Sequence, residues 1–459
     1  MQDEGFEDKA GKTILIRTEK RKLLLVGLGK LGELTVLDWQ KAFAGVARKA
    51  KEVNAKTLTI ALPIEELAKK TTMTPQNLIK GAVEGLSLGS YEFLRHKHED
   101  ERKKEKKIEE VTFCVDKKFE KEVQKGIEAG ELSSKATVFA RDLVNEPSSV
   151  TTPTFLSLVA RSLAKENSEI SCTVLGRKEM EKLGMGGILG IAKGSAQEPK
   201  FITLAYQPER RHQTVVLVGK GVTFDSGGLS LKKQEGMETM KLDMAGAADI
   251  LALFSVLPDM KLNVAVIGLI PAVENMPSGT AVKPGDVLTA YNGKTIEVIS
   301  TDAEGRVILA DALSYAKKFN PSVILDLATL TGACIIALGE EVAGFFSNNR
   351  ALSLSIQKAA DKTGEPVWEL PLVASYKELL KSAVADLGNV TKNRNAGAIT
   401  AALFLEAFVP PKIPWAHIDI AGPAWAEKDT VVSPIGATGF GVRLILSYLE
   451  ALGQEKKKK

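Results

Sequence analysis

Two stretches of the chain gather side chains able to do chemistry together. The first, VGKGVTFDSGGLSLKKQEGMETMKLDMAGAA from Val218, offers Lys220, Asp225, Lys232 and Asp243. Lys220 and Asp225 border an apolar run that reads as a strand, and Ser226, Gly227 and Gly228 let the chain turn sharply after it. Asp243 opens directly onto Ala245, Gly246, Ala247 and Ala248. Small residues there permit close packing, so the Asp243 charge is expected to be enclosed and to need a partner or a metal. The second stretch, STDAEGRVILADALSYAKKF from Ser300, puts Asp302 and Glu304 at a predicted helix start and Arg306 in its first turn. Thr301 or Asp302 could cap that helix, with Glu304 favoured by its dipole. Capping accounts for one carboxylate but not for two plus an arginine, so this stretch alone leaves cap and site both open.

Taken together, the stretches place four carboxylates and a lysine at strand ends of an α/β unit, where such folds build their sites. Four carboxylates shared between two divalent ions can bridge and cap both, and such a pair activates a water and polarises a carbonyl. A lysine ligates only as the neutral amine, which an adjacent dication enforces. The four histidines, His96, His98, His212 and His417, are too scattered for a histidine metal site. His417 lies in an apolar strand and reads as a satisfied core residue. A two-metal phosphoesterase would use a similar cluster, so that enzyme class stays open at this point.

The elements that must position these groups follow from apolar runs. ITLAY at Ile202, TVVLVG at Thr214, NVAVIGLI at Asn263, SVILDLATL at Ser322 and WAHIDIAG at Trp415 alternate with helical patterns, the mark of a large α/β domain with a buried sheet. Asn292-Gly293, between VLTAY and KTIEVIS, predicts a hairpin turn rather than a phosphate loop. Upstream, KTILI, KLLLVG and TLTIAL alternate with helical segments from Gln40 and Thr74, which predicts a smaller α/β unit with a largely parallel sheet. GLGKLG after the second strand fits a dinucleotide pattern only weakly, because ELTVLDW does not open a helix at once. The charged tract at 96–110 is expected to be exposed, and 118–145 reads as a long connecting helix ended by NEPSSVTTP.

The 459 residues exceed one ordinary domain, and the net charge of +4 with 26% charged residues does not by itself imply nucleic acid or a membrane. Basic runs at 103–107 and 456–459 read as solvated. Cys114, Cys172 and Cys334 match no zinc spacing and read as reduced thiols. The acidic start lacks the basic and apolar parts of a signal peptide, so a cytoplasmic protein is expected.

At this point the residues resemble the leucyl aminopeptidases of the cytosol aminopeptidase family. TDAEGR at Thr301 and GKGVTFDSGG with Lys232 and Asp243 are similar to the family's metal-site blocks, and RDLVNEPSSVTTP, LATLTGA, AGAITAALFL, HIDIAG and ATGFGVR extend the likeness from Arg141 to the C-terminus. The resemblance implies a smaller, macro-like N-terminal α/β domain (1–117), the connecting helix (118–145) and a catalytic domain (146–459) whose central mixed sheet is flanked by helices. It implies one metal on Lys220, Asp225, Asp243 and Glu304, and another on Asp225, Asp302 and Glu304, the ions being zinc, manganese or magnesium. Lys232 would hold the oxyanion, Arg306 a bicarbonate acting as general base, and Met240, Thr329, Leu330, Gly332 and Ala421 the N-terminal side chain of a peptide, with leucine preferred. A homohexamer is implied as well, with peptides as substrates. Because some relatives also bind DNA, a regulatory DNA-binding protein is the alternative reading. Ser300 and Val307 depart from the signature, and the N-terminal domain looks shortened by its first strand and helix.

Overall fold

The computed structural model describes residues 11–19, 22–393 and 395–454. The lysine run at 456–459 and the acidic first ten residues lie outside them. Two compact units are formed. The smaller holds the described residues up to Val138 with Ala360–Glu365 and Ala426–Gly436, and the larger holds Phe139–Ala359, Pro366–Trp425 and the described residues from Ala437.

In the smaller unit, β1 (Thr13–Arg17) and β2 (Lys22–Val26) pair antiparallel. α1 (Val36–Glu52), β3 (Thr57–Ala61), α2 (Pro75–Ser90) and β4 (Glu110–Cys114) follow, and β4 runs parallel to β3. The expected largely parallel sheet is therefore corrected to two separate two-stranded sheets. The short link at 18–21 cannot carry the crossover that a parallel return demands, so β1 and β2 fold back as a hairpin. The helix after GLGKLG starts only at Val36, where Thr35 and Asp38 form a reciprocal capping box. No glycine of that motif sits at a helix N-terminus able to receive a pyrophosphate. α1 buries Trp39, Phe43 and Val46 against Leu78, Ile79 and Ala82 of α2, the spacing of one helical face. The tract at 96–110 is exposed apart from half-buried Ile108. The 26-residue helix α3 (Glu120–Asn145) begins in this unit and ends in the larger one.

The larger unit opens with α4 (Pro153–Glu166), capped by Thr152. Its strands are β5 (Ile170–Leu175), β6 (Lys200–Tyr206), β7 (Thr214–Gly219), β8 (Gly221–Asp225) and β9 (Ala265–Asn275), with α5 (Ala245–Phe254) between the last two. β10 (Val287–Thr289) and β11 (Thr295–Glu297) form the hairpin expected at Asn292-Gly293. α6 (Glu304–Tyr315), β12 (Val323–Ala328), β13 (Ala343–Ser347), β14 (Val367–Glu369), β15 (Leu387–Gly388) and β16 (Trp415–Asp419) follow. Nine strands form one mixed sheet in the order β14-β13-β16-β12-β7-β9-β6-β5, with β8 also on β9. β16, β12, β7 and β9 are parallel neighbours, and β8 runs with them.

Both faces of this sheet are covered. Val216 and Val218 share a core with Val307, Ile308 and Leu309 of α6. Gly219, of opposite parity, lies against Gly246 and Ile250 of α5. Alternation along one strand thus puts the two helices on opposite faces. The parallel strands consequently end on one rim, where Lys220, Asp225, Asn275, Thr329 and Asp419 emerge. Among the described residues no helix is long and apolar enough to cross a membrane, and all three cysteines are free.

Candidate metal centre

Lys220 is the single residue between β7 and β8, held by its N–H on the Leu327 carbonyl and its carbonyl under the Ala247 N–H. Its ammonium donates to Asp243 Oδ1 at 2.7 Å and to the Thr329 carbonyl at 2.9 Å, and lies 2.9 Å from Glu304 Oε1. The stem crosses Gly305, where any Cβ would overlap Lys220 Cε. A glycine is required at that crossing for the lysine to reach its carboxylates.

Asp225 ends β8. Its Oδ1 accepts from Gly227 N–H at 2.9 Å and Asn275 Nδ2 at 2.8 Å, while Oδ2 is 2.8 Å from Lys232 Nζ. The turn that follows needs φ of +86° at Gly227 and +62° at Gly228, a left-handed region that glycine occupies without strain. The Lys232 N–H then bonds the Ser226 carbonyl, returning the lysine over the site. Its Nζ also reaches Asp302 Oδ1 at 2.5 Å.

The second stretch is braced from outside itself. Thr301 Oγ1 donates to the Gly227 carbonyl and accepts from Ser230 N–H. The Asn389 side chain accepts from the N–H groups of Ile299 and Ser300 and donates to the Ser300 carbonyl. α6 starts at Glu304, and no side chain caps it. The capping explanation for Thr301 and Asp302 thus fails, and both carboxylates remain available. Oxygens of Asp225, Asp302 and Glu304 lie within 4.8 Å of one another. Asp243 Oδ1 accepts from Lys220 and from Thr329 Oγ1, whereas its Oδ2 is buried with no partner.

Four carboxylates face two ammonium groups here, and burial makes the imbalance costly. Burial raises Asp225 to about 6, with Glu304 adding to the effect against the pull of Lys232 and Lys220. Burial also raises Asp243 well above the ordinary carboxylate value, and raises Asp302. For Glu304, burial works upward but Lys220 and Lys232 prevail and lower it. Burial opposes the charge of Lys220 and Lys232 too, yet the surrounding carboxylates raise both. Three carboxylates within bridging distance of one another, with the orphaned Asp243 oxygen across Lys220 from Glu304, fit divalent cations. Lys220 fits as a ligand only after losing its proton, which couples ion binding to proton release.

Arg306 is buried, donates to the Asn389 carbonyl at 2.8 Å, and leaves its Nε–H without a partner. Burial lowers its pKa to about 10 against the opposing effect of Glu304 and Asp419. Of the expected specificity residues, Met240, Leu330 and Ala421 are half-buried and Gly332 is exposed. Thr329 is buried and turns both its hydroxyl and its carbonyl toward Asp243 and Lys220. Asp419, which sequence reasoning missed, accepts from Leu330 N–H and Ala421 N–H and from Thr331 Oγ1. It thereby ties together the loops after β12 and β16. Asn275 and Asn389 were missed likewise. His417 is fully buried with Nδ1 2.6 Å from Asp326, but its Nε2 has no partner, so the expectation of a satisfied histidine holds for one ring nitrogen only.

Comparison with known proteins agrees with this geometry. The catalytic domain of the cytosol aminopeptidase family matches residues 138–446, and that family's N-terminal domain matches residues 1–100. A probable cytosol aminopeptidase of Chlorobaculum tepidum is 46% identical over 462 residues, covering 98% of this chain and 91% of the relative. Another, from Geobacter sulfurreducens, is 46% identical over 441 residues, covering 95% and 86%. Among solved structures, the bottromycin maturation enzyme BotP in complex with Mn is similar with a TM-score of 0.90 and 35% identity, covering 99% of this chain and 96% of that one. On matches that span both units, the chain belongs to the cytosol aminopeptidase family.

Proposed function

We propose that the protein is a leucyl aminopeptidase that removes leucine and other apolar residues from the N-termini of peptides, using two divalent ions and a bicarbonate. The observation that carries the reading is the convergence of Asp225, Asp243, Asp302 and Glu304 around Lys220 and Lys232, with Asp243 Oδ2 left unpaired. Lys220, Asp225, Asp243 and Glu304 would hold one ion, and Asp225, Asp302 and Glu304 the other, the ions being zinc, manganese or magnesium. When bound, such ions supply Lewis acidity toward the scissile carbonyl and a nucleophile at neutral pH. The manganese in the BotP structure supports a divalent requirement.

The chain's own residues would do the rest. Lys232, which pairs with Asp225 and Asp302, would present a positive charge to the oxyanion that develops on the substrate. Arg306, whose buried Nε–H has no partner, would hold the bicarbonate, and that anion would supply the general base that no histidine of the centre provides. Met240, Leu330 and Ala421 receive the apolar side chain, while Asp419 keeps the last two in place. A homohexamer belongs to the same reading on the family resemblance alone, while action on peptides in the cytoplasm is supported by the naming of the relatives as probable cytosol aminopeptidases.

The test is hydrolysis of leucine p-nitroanilide by purified protein after chelation and after readdition of zinc or manganese. Release that needs metal and vanishes both in Asp302→Ala and with N-acetylated substrate is the expected result. Metal-independent release, or cleavage of the acetylated substrate, would overturn it.

A further inference from the structure

Asp419 holds Leu330 and Ala421, two of the three residues assigned to the substrate side chain. The third, Met240, opens a short 3-10 helix, Met240–Met244, which also carries Asp243. Positions three apart lie over one another in such a helix, so Met240 and Asp243 share a side and Lys241 is turned to another. Lys241 is half-buried, and its ammonium donates to the Asn145 carbonyl at 2.7 Å. Asn145 is the last residue of α3, and the carbonyls of a final helical turn have no partner within their helix. Thr151 Oγ1 serves the Leu143 carbonyl, and Lys241 serves that of Asn145, a cation at the negative end of the helix dipole. The Asn145 side chain in turn accepts from Ala437 N–H at 3.0 Å, which holds the acceptor in place.

The same ammonium lies 5.5 Å from the centre of the Trp425 ring, within cation–π range. Trp425 ends the segment that starts at Ala421. Ala424 N–H bonds the Ile420 carbonyl at 3.0 Å and so closes one helical turn over Ala421, Gly422 and Pro423. Thr438 braces this turn, its N–H on the Ala424 carbonyl and its hydroxyl on the Pro423 carbonyl. The segment is therefore a stiff piece with Ala421 at one end and Trp425 at the other. Lys241 has its backbone beside Met240 and its charge on both the end of α3 and the far end of the Ala421 segment. We propose that Lys241 is a positioning residue for substrate selection. By anchoring the Met240 turn to Asn145 and Trp425, it sets the separation of Met240 from Ala421 and with it the width open to the N-terminal side chain. This inference rests on the aminopeptidase reading above.

The experiment compares leucine and alanine p-nitroanilides as substrates of the full-length protein after readdition of zinc. A pocket of set width favours leucine through its extra methylenes, each worth on the order of tenfold in kcat/KM. Lys241→Met keeps the stem and removes the ammonium. It should lower the leucine-over-alanine ratio of kcat/KM about fivefold or more, through the KM for leucine, with the alanine kcat within about threefold of the unaltered protein. Lys241→Arg retains a donor and a charge and should bring the ratio back to within about twofold. Trp425→Leu leaves the bond to Asn145 in place and removes the ring, so it should move the ratio in the same direction, and it carries the test if Lys241→Met does not fold. An unchanged ratio, no recovery with arginine, or an equal loss on both substrates together with loss of bound metal would overturn the proposal, the last by assigning Lys241 to Asp243 and not to the pocket. No hydrolysis of either substrate by the unaltered protein would instead overturn the aminopeptidase reading, and this inference with it.

Discussion

β12 and β16 of the larger unit are buried along their whole length, whereas no residue of β2 or β3 in the smaller unit is fully buried. The larger sheet is walled by helices on both faces, so the buried charges at its rim, Lys220, Asp225, Asp243 and Glu304, have lost water and must find compensation within the protein or from an ion. Lysine is one solution and a divalent cation the other, and the centre combines a limited amount of the first with an unfilled demand for the second. The smaller unit has the reverse problem. Its side chains keep access to water, and what it leaves unmatched is backbone. The same rule, that polar groups out of water need partners, yields the candidate metal centre in one unit and an open edge in the other.

The most direct way to break this comparison is to remove one carboxylate from the centre. Asp243→Ala leaves Lys220 with one carboxylate fewer and deletes the orphaned oxygen, so a loss in kcat/KM of about a thousandfold or more is expected, with metal retention reduced in parallel. Direct metal analysis after gel filtration checks it. Near-normal activity with both ions retained would mean that the buried imbalance is not what recruits the ions.

Asp311 sharpens the claim away from the ions. Buried in α6, it accepts from Ile188 N–H at 2.8 Å and Tyr291 N–H at 2.7 Å, and burial still pushes its carboxyl up to about 7 from an ordinary 3.8. With its native pKa above the unfolded value, the folded protein keeps a proton that the unfolded chain has released. Its stabilisation is therefore complete below the unfolded value and is lost as pH rises through about 7, by up to about 4 kcal/mol. Urea unfolding across that window should show stability falling in the unaltered protein relative to Asp311→Asn. Parallel curves would mean that this interior does not penalise charge.

Gly305→Ala tests the crossing beneath Lys220. Its methyl displaces the lysine stem from Asp243 and Glu304, so activity should fall about a hundredfold while stability drops by only about 1–2 kcal/mol. A stability loss without an activity loss would show that the crossing matters for packing alone.

What could be read from the sequence follows the same physics. Apolar runs located β6, β7, β9, β12 and β16 because a doubly covered sheet must be apolar nearly throughout. The carboxylates stood out because Asp243 adjoins residues too small to leave it in water. Asn275, Asn389 and Asp419 were invisible because their partners lie far away in sequence, and neither an asparagine nor an aspartate carries a mark of the group it will bond. Thr301 looked like a cap and instead spends its hydroxyl on the Gly227 carbonyl. The antiparallel β1–β2 pair was legible in the 18–21 link, which is too short for a parallel crossover even though strands and helices alternate downstream of it.

The smallest effect compares one chemical change in the two units. Ile16 in β1 is 37% exposed and pairs in register with Leu23, itself 51% exposed. Ile16→Thr keeps the β-branch that suits a strand and removes little area that folding had buried. A change within about 0.5 kcal/mol is therefore expected in urea unfolding. Ile324 in β12 is fully buried between Val216 and Trp415 in register. Ile324→Thr puts a hydroxyl where no water reaches and leaves a gap beside it, at a cost of about 2–4 kcal/mol. If the two substitutions cost the same, the hairpin bears core packing that its exposure conceals, and the contrast between an open and a closed sheet would have to be replaced by one of degree.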